Sequence, residues 1–194
     1  MDKPAVVSGL LQRGRRAADV PALGHRVWRL PSDVDTDALA PRRWMKYGAE
    51  VIAQHCLESL QPQFALHARP GDVIVAGANF GIGSSREQAA SALVHLGIVA
   101  VIAPSFGGLF YRNAFSVGLP LLTCREAEAV ADGERVQFDL ERALVRCVVD
   151  AGGRELGERG PLLQCEPIPA LLLELVHAGG RLPQLKRRLQ RAPA

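Results

Sequence analysis

An α/β fold is predicted by three features of the sequence. Only 5% of the chain is aromatic while 48% is hydrophobic, so the core must be built mainly from Val, Leu, Ile and Ala, the side chains that fill the contact between helices and a sheet. Short, nearly continuous apolar runs such as Asp72-Val73-Ile74-Val75-Ala76 have the character of strands buried on both faces. Between these runs lie helix-length stretches that stop at glycine. Composition alone leaves α/β and α+β open; the order strand, loop, helix, strand, helix, strand through the middle of the chain selects α/β.

In chain order, Val27-Trp28-Arg29-Leu30 reads as a strand entering the acidic loop Ser32-Asp33-Val34-Asp35-Thr36-Asp37, which Pro41 closes. Residues 49–60 look helical, and the strand at 72–76 follows a polar connection after Pro62. Gly77-Ala78-Asn79-Phe80-Gly81-Ile82-Gly83 is a glycine-rich turn. Behind it, Ser84-Ser85-Arg86-Glu87 has the S-x-x-E spacing of a capping box, which predicts a helix starting there and ending at Gly97. Residues 98–103 form the next buried strand, 106–117 a helix ended by Gly118, and 119–123 another strand. The mixed alternation over 136–149 suggests a strand or hairpin. Pro169 opens a late helix ended by Gly179-Gly180, and 183–189 form a last basic helix. There is no internal repeat.

With 194 residues, one domain with C-terminal helices is expected at 24–194, preceded by a flexible extension at 1–23. The extension carries Arg, but its apolar run is too short for a signal peptide or membrane span. An organelle transit peptide is the second reading, weakened by Asp2, Asp19 and the single Ser8. The formal charge of +3, from 23 Lys and Arg against 20 Asp and Glu, is concentrated at 13–16 and 186–191 without interleaved aromatics. Neither a nucleic-acid nor a membrane partner is expected. Cys56, Cys124, Cys147 and Cys165 are too widely separated for a zinc or cluster motif, so the chain is expected to bind no metal. Reduced, buried thiols in a cytoplasmic protein fit that pattern.

The glycine-rich turn fails the known cofactor patterns. A dinucleotide fingerprint needs Gly where Arg86 stands, a P-loop needs a Gly-Lys-Ser/Thr run, and a nucleophile elbow needs Gly where Glu87 stands. What remains is a helix start whose free N–H groups, at Ser85 and beyond, face whatever approaches the turn. Arg86 there opposes the helix dipole, a cost that a bound carboxylate converts into a planar, bidentate contact. The alternative is that Ser84 only caps the helix while Arg86 faces solvent. Asp33, Asp35 and Asp37 begin like a calcium loop, but Ala38 and Trp44 stand where Gly and Glu are required, so a solvated acidic turn is the better reading.

Asp35-Thr36-Asp37, then Gly77-x-Asn79-Phe80-Gly81-x-Gly83-Ser84-Ser85-Arg86-Glu87, then Ser105-Phe106 and Phe110-Tyr111-Arg112-Asn113, together resemble the small subunit of 3-isopropylmalate dehydratase and the swivelling domain of aconitases. The similarity spans 24–189. It implies a three-layer β/β/α swivelling domain closing over the active site of a large subunit, whose own cysteines hold a [4Fe-4S] cluster. It implies a hydro-lyase, active only with that partner, interconverting 2- and 3-isopropylmalate in leucine biosynthesis. By the same resemblance Ser84 is the base that removes a proton next to a carboxylate, Arg86 binds substrate carboxylate, and Asp37 lines the site.

Two positions depart from the family pattern: Ile82 stands where Cys is frequent, and Gln88 where His is frequent. The loop Trp44-Met45-Lys46-Tyr47 occupies the segment that tunes substrate choice. Arg43 and Lys46 offer cationic contacts to a substrate carboxylate, and each taken singly also reads as a solvated surface charge. A sister substrate (homoaconitate, citraconate or a substituted malate) and a non-catalytic binding domain of the same fold stay open as alternatives.

Overall fold

The structure, a computed structural model, describes residues 23–191. The expected extension at 1–23 lies, up to residue 22, outside the described residues. Strand β1 (His25–Leu30) leads through a short helix α1 (Thr36–Leu39), a 3-10 turn, α2 (Ala49–Gln54) and α3 (Phe64–His67) to β2 (Val73–Ala76). Then come α4 (Glu87–His95), β3 (Ala100–Ala103), α5 (Gly108–Ser116), β4 (Leu121–Thr123), β5 (Arg135–Asp139), β6 (Leu144–Val149), β7 (Leu162–Gln164), α6 (Ala170–Ala178) and α7 (Arg181–Arg191).

These strands form one sheet in the order β4-β3-β2-β1-β5-β6-β7. Pairing is parallel from β1 to β4 and antiparallel from β1 through β5 and β6 to β7. The parallel half is wound in one direction, so its right-handed crossovers place the intervening helices on the same face. Accordingly α2 packs on α4 and α4 on α5. Yet every residue of β2 and β3 is buried, so their other face is covered as well. The 3-10 turn Ala127–Ala129 packs on β2 and β3, and the sheet curls beyond it in its antiparallel half, which gives the three-layer β/β/α arrangement expected from the resemblance. The curl nearly closes the sheet: past β7, the Glu166 N–H donates to the Thr123 carbonyl at the end of β4, at 2.8 Å.

One core runs through the molecule, from Val27 and Phe64 through Ile74, Ile102, Phe110 and Phe115 to Val136 and Val145. The aliphatic reading holds, with phenylalanines at the helix contacts. No described helix is long and apolar enough to cross a membrane.

Most predicted elements are present with shifted ends. The mixed stretch over 136–149 is a hairpin, β5 and β6. The helix expected over 49–60 is regular only to Gln54 and continues as turns, with Leu57 in left-handed backbone. The helix behind the glycine-rich turn starts at Glu87, not at the serines, and its N-cap is Arg86, with no side-chain cap. The expected capping box therefore does not form, because the Ser84 hydroxyl is engaged elsewhere. Three short elements have no usable period in the sequence: α1, α3 and β7.

Candidate functional site

Three loops leave the carboxyl ends of the parallel strands side by side: 31–35 after β1, 77–86 after β2 and 104–107 after β3. Clefts at this edge of a parallel sheet are where α/β proteins collect their functional groups. Here the strand ladder continues outward into the loops. Asp33 N–H donates to the Ala78 carbonyl at 2.8 Å, Gly81 N–H to Val34 at 2.7 Å and Thr36 N–H to Ile82 at 2.8 Å. Asp33 and Asn79 both take left-handed backbone, which their short polar side chains tolerate, and Asn79 Nδ2 donates to Asp33 Oδ1 at 2.8 Å. The third loop joins through Ser105, whose hydroxyl accepts the Asn79 N–H at 2.9 Å.

Two glycines in the turn have physical causes. Gly81 has φ +78°, and a Cβ there would stand 2.2 Å from the Phe110 ring. Gly83 has φ +106° and lets the chain pass so close to Thr36 that an added Cβ would be 3.1 Å from its hydroxyl oxygen. Ser84 is delivered directly after that approach.

Ser84, Arg86 and Asp37 converge. Arg86 Nε donates to Ser84 Oγ at 2.6 Å, Nη1 donates to the Ala40 carbonyl at 2.9 Å, and Nη2 pairs with Asp37 Oδ1. The Arg86 side chain is 13% exposed and that of Asp37 49%, so the cation is fixed from within while its counter-ion lies at the surface. Hydrogen bonding from Arg86, aided by Arg42, holds the Asp37 carboxyl below the usual carboxylate range. As N-cap with extended backbone, Arg86 does not oppose the helix dipole from within the first turn as the sequence suggested. Nor does it face solvent, as the alternative reading had it. Ser85 is exposed, and its carbonyl accepts Asn113 Nδ2 at 2.9 Å, which ties the serine pair to α5.

Arg43 and Lys46 take other partners. Arg43 Nη2 pairs with Glu58 at 2.5 Å and its guanidinium lies over the Trp44 ring, while Lys46 Nζ lies 4.8 Å from the centre of the Tyr47 ring. Arg43 nevertheless lines an open cleft of about 600 Å³ together with Asp33, Asp35, Asp37, Arg42 and Glu58. Asp35 is structural: it caps α1 by accepting the Ala38 N–H at 2.7 Å.

The sequence reading missed Thr36 and Asn113 as site-building residues. Both sit inside motifs it singled out, but nothing in a one-dimensional pattern shows that Thr36 meets Ser84, 48 positions away. Among the described residues no group of three His, Cys, Asp or Glu side chains is placed to hold a metal ion. The four cysteines are buried, and among the described residues none of their thiols hydrogen-bonds to Ser84, Arg86 or Asp37; burial pushes the Cys56 thiol up.

Residues 53–127 match the family described as the aconitase C-terminal domain. The chain is 39% identical to the isopropylmalate/citramalate isomerase small subunit of Methanocaldococcus jannaschii, over 84% of this chain and 94% of the relative. It is 38% identical to the 3-isopropylmalate dehydratase small subunit of Nautilia profundicola, over 85% of this chain and 95% of the relative. A crystal structure of 3-isopropylmalate dehydratase from Methanocaldococcus jannaschii superposes with a TM-score of 0.77 at 36% identity, covering 87% of this chain and 95% of that one. Such identity over nearly the whole length of these relatives, on the same fold, establishes that the chain belongs to the 3-isopropylmalate dehydratase small-subunit family of aconitase-type hydro-lyases.

Proposed function

We propose that this chain works with a large subunit to interconvert 2- and 3-isopropylmalate by dehydration and rehydration in leucine biosynthesis, in the cytoplasm. The observation that carries the residue assignment is the 2.6 Å hydrogen bond from Arg86 Nε to Ser84 Oγ. A serine hydroxyl is a weak base, and it can accept a proton from carbon only if its oxyanion is stabilised. A charge-assisted donor aimed at Oγ does that, and does it without reorganising at the moment of reaction. Ser84 then takes the proton next to a substrate carboxylate and returns it on rehydration.

The carboxylate goes to Arg86. Asp37 occupies one of its donors, but that ion pair is half exposed and is worth little, so a substrate carboxylate displaces or joins it readily. Until substrate arrives, Asp37 keeps Arg86 oriented. Exposed Ser85, with the N–H groups of the α4 start, offers further anion contacts. Arg43, which lines the cleft, and Lys46 on the same 3-10 turn serve as secondary carboxylate contacts. Residues 24–194 act as the swivelling domain and 1–23 as an extension to it. The four cysteines of this chain lack cluster spacing, which supports assigning the [4Fe-4S] cluster to the large subunit.

The test is anaerobic reconstitution with the large subunit and assay on isopropylmalate. Parent activity that collapses by orders of magnitude in Ser84→Ala, with assembly intact, supports the reading; unchanged turnover in the assembled variant removes Ser84 as the base. A second substrate class belongs in the same assay, because one relative is named for citramalate as well as isopropylmalate. Turnover of citramalate or homoaconitate above that of isopropylmalate would reassign the substrate and leave the residues in place.

A further inference from the structure

Thr36 is nearly inaccessible, at 1% exposure, on the first turn of α1, and its hydroxyl is committed entirely to Ser84. Its Oγ1 accepts the Ser84 backbone N–H at 3.0 Å and lies 3.2 Å from Ser84 Oγ. A threonine hydroxyl has one proton to donate. Either hydroxyl can donate across the 3.2 Å contact, but Oγ1 has no hydrogen-bond partner other than Ser84 among the described residues, so Ser84 Oγ is the one acceptor there within reach of the Thr36 proton. Gly83 makes the approach possible, because it holds a backbone conformation that other residues rarely take and carries no Cβ against Thr36.

We propose that Thr36 is a positioning residue that acts through Ser84, fixing its backbone with one lone pair and holding its oxyanion with the hydroxyl proton. This rests on the reading of Ser84 as the base. With Arg86 Nε donating on one side at 2.6 Å and Thr36 on the other at 3.2 Å, two sites on Ser84 Oγ are filled from within the protein. The neutral hydroxyl therefore turns its own proton outward. The alkoxide turns its third lone pair the same way, toward the substrate. Arg86 supplies charge, and Thr36 supplies direction in a spot where a second cation would be buried without a partner.

Three variants in the reconstituted two-subunit enzyme test this. Thr36→Val keeps shape and loses the hydroxyl; Thr36→Ser keeps the hydroxyl and loses the methyl. The expected result is a fall in kcat of about ten- to a hundredfold for Thr36→Val with KM near the parent value, and near-parent kcat for Thr36→Ser. A residue needed only for packing gives the reverse order. Ser84→Ala supplies the third arm: adding Thr36→Val to it is expected to lower kcat no further, since the two act as a unit.

Parent-like kcat in Thr36→Val, with Ser84→Ala inactive, overturns the role of Thr36 alone. Parent-like kcat in Ser84→Ala overturns the base assignment and the role of Thr36 with it. If Thr36→Val does not assemble, Thr36→Ala against Thr36→Ser carries the same contrast: parent-like kcat in Thr36→Ala overturns the proposal, and loss in Thr36→Ala with retention in Thr36→Ser supports it.

Discussion

Arg86 is held by a hydroxyl, a carbonyl and a carboxylate, and a lysine can satisfy at most part of that set. Arg86→Lys is therefore expected to lose at least about tenfold in kcat/KM, equivalent to about 1.4 kcal/mol at the transition state. It should also lose about 1 kcal/mol of stability, since the Ala40 carbonyl inside the fold gives up its guanidinium donor. Steady-state kinetics and urea denaturation of the same protein separate the two effects. Asp37 carries a different signature. Its folded carboxyl titrates lower than in the unfolded chain, so its stabilising contribution is fully present above the ordinary value of 3.8 and is lost as pH falls through the depressed folded value. Asp37→Asn is expected to flatten the acid side of the stability-pH curve, modestly because the pair is half exposed. An unaltered acid limb would show that Arg86 does not need this counter-ion.

At the scale of elements, the turn 77–86 is fixed by its close approach to α1 on one side and α5 on the other. Gly81→Ala puts a methyl into the Phe110 ring at a left-handed position. Overpacking and backbone strain together are expected to cost about 2–4 kcal/mol, read as a lower midpoint in chemical denaturation. Activity should fall further than stability explains, since the displaced turn carries Ser84. The start of α4 two residues beyond the serine pair follows from the same geometry. Arg86 stands at the cap position, two residues beyond Ser84, whose hydroxyl meets Thr36 and Arg86 instead, and extended backbone at Arg86 aims the guanidinium back across the turn.

Across the whole molecule, the parallel half is tied together by Asp72 at the foot of β2. Its buried carboxylate accepts from Arg26, Trp28 Nε1 and the Arg69 N–H, at 2.5, 2.8 and 2.9 Å. Removing it with Asp72→Ala leaves a partly buried Arg26 without its counter-ion, and is expected to cost about 3 kcal/mol with little change in kcat, because the site lies at the opposite end of the strands. The buried thiols report on the same core. Burial first, and then nearby Glu134, pushes Cys147 up to about 11, and a shared hydrogen bond with Cys124 together with burial raises Cys165. The hydrogen bond from Cys165 lowers the Cys124 thiol, but all four cysteines are buried and for want of access are expected to react with an aromatic disulfide reagent only slowly in the native protein and fully in denaturant. Fast native labelling of Cys56 would show that the α2 region opens.

The α/β class, the alternation through the parallel half, and the turn that carries Ser84 and Arg86 are all legible in the order of residues. These are local matters: apolar runs, glycines at helix ends and a motif contiguous in the chain are set within a dozen residues. Asp37 joins them through a resemblance and not through spacing. Only the folded chain shows that Arg86 leaves the helix dipole and pairs with Asp37, that Arg43 turns to Glu58, and that Thr36 closes on Ser84. Each of these is a contact between residues brought together by parallel strand pairing or loop packing. A polar side chain chooses its partner by distance and burial, which the order of residues along the chain does not encode locally.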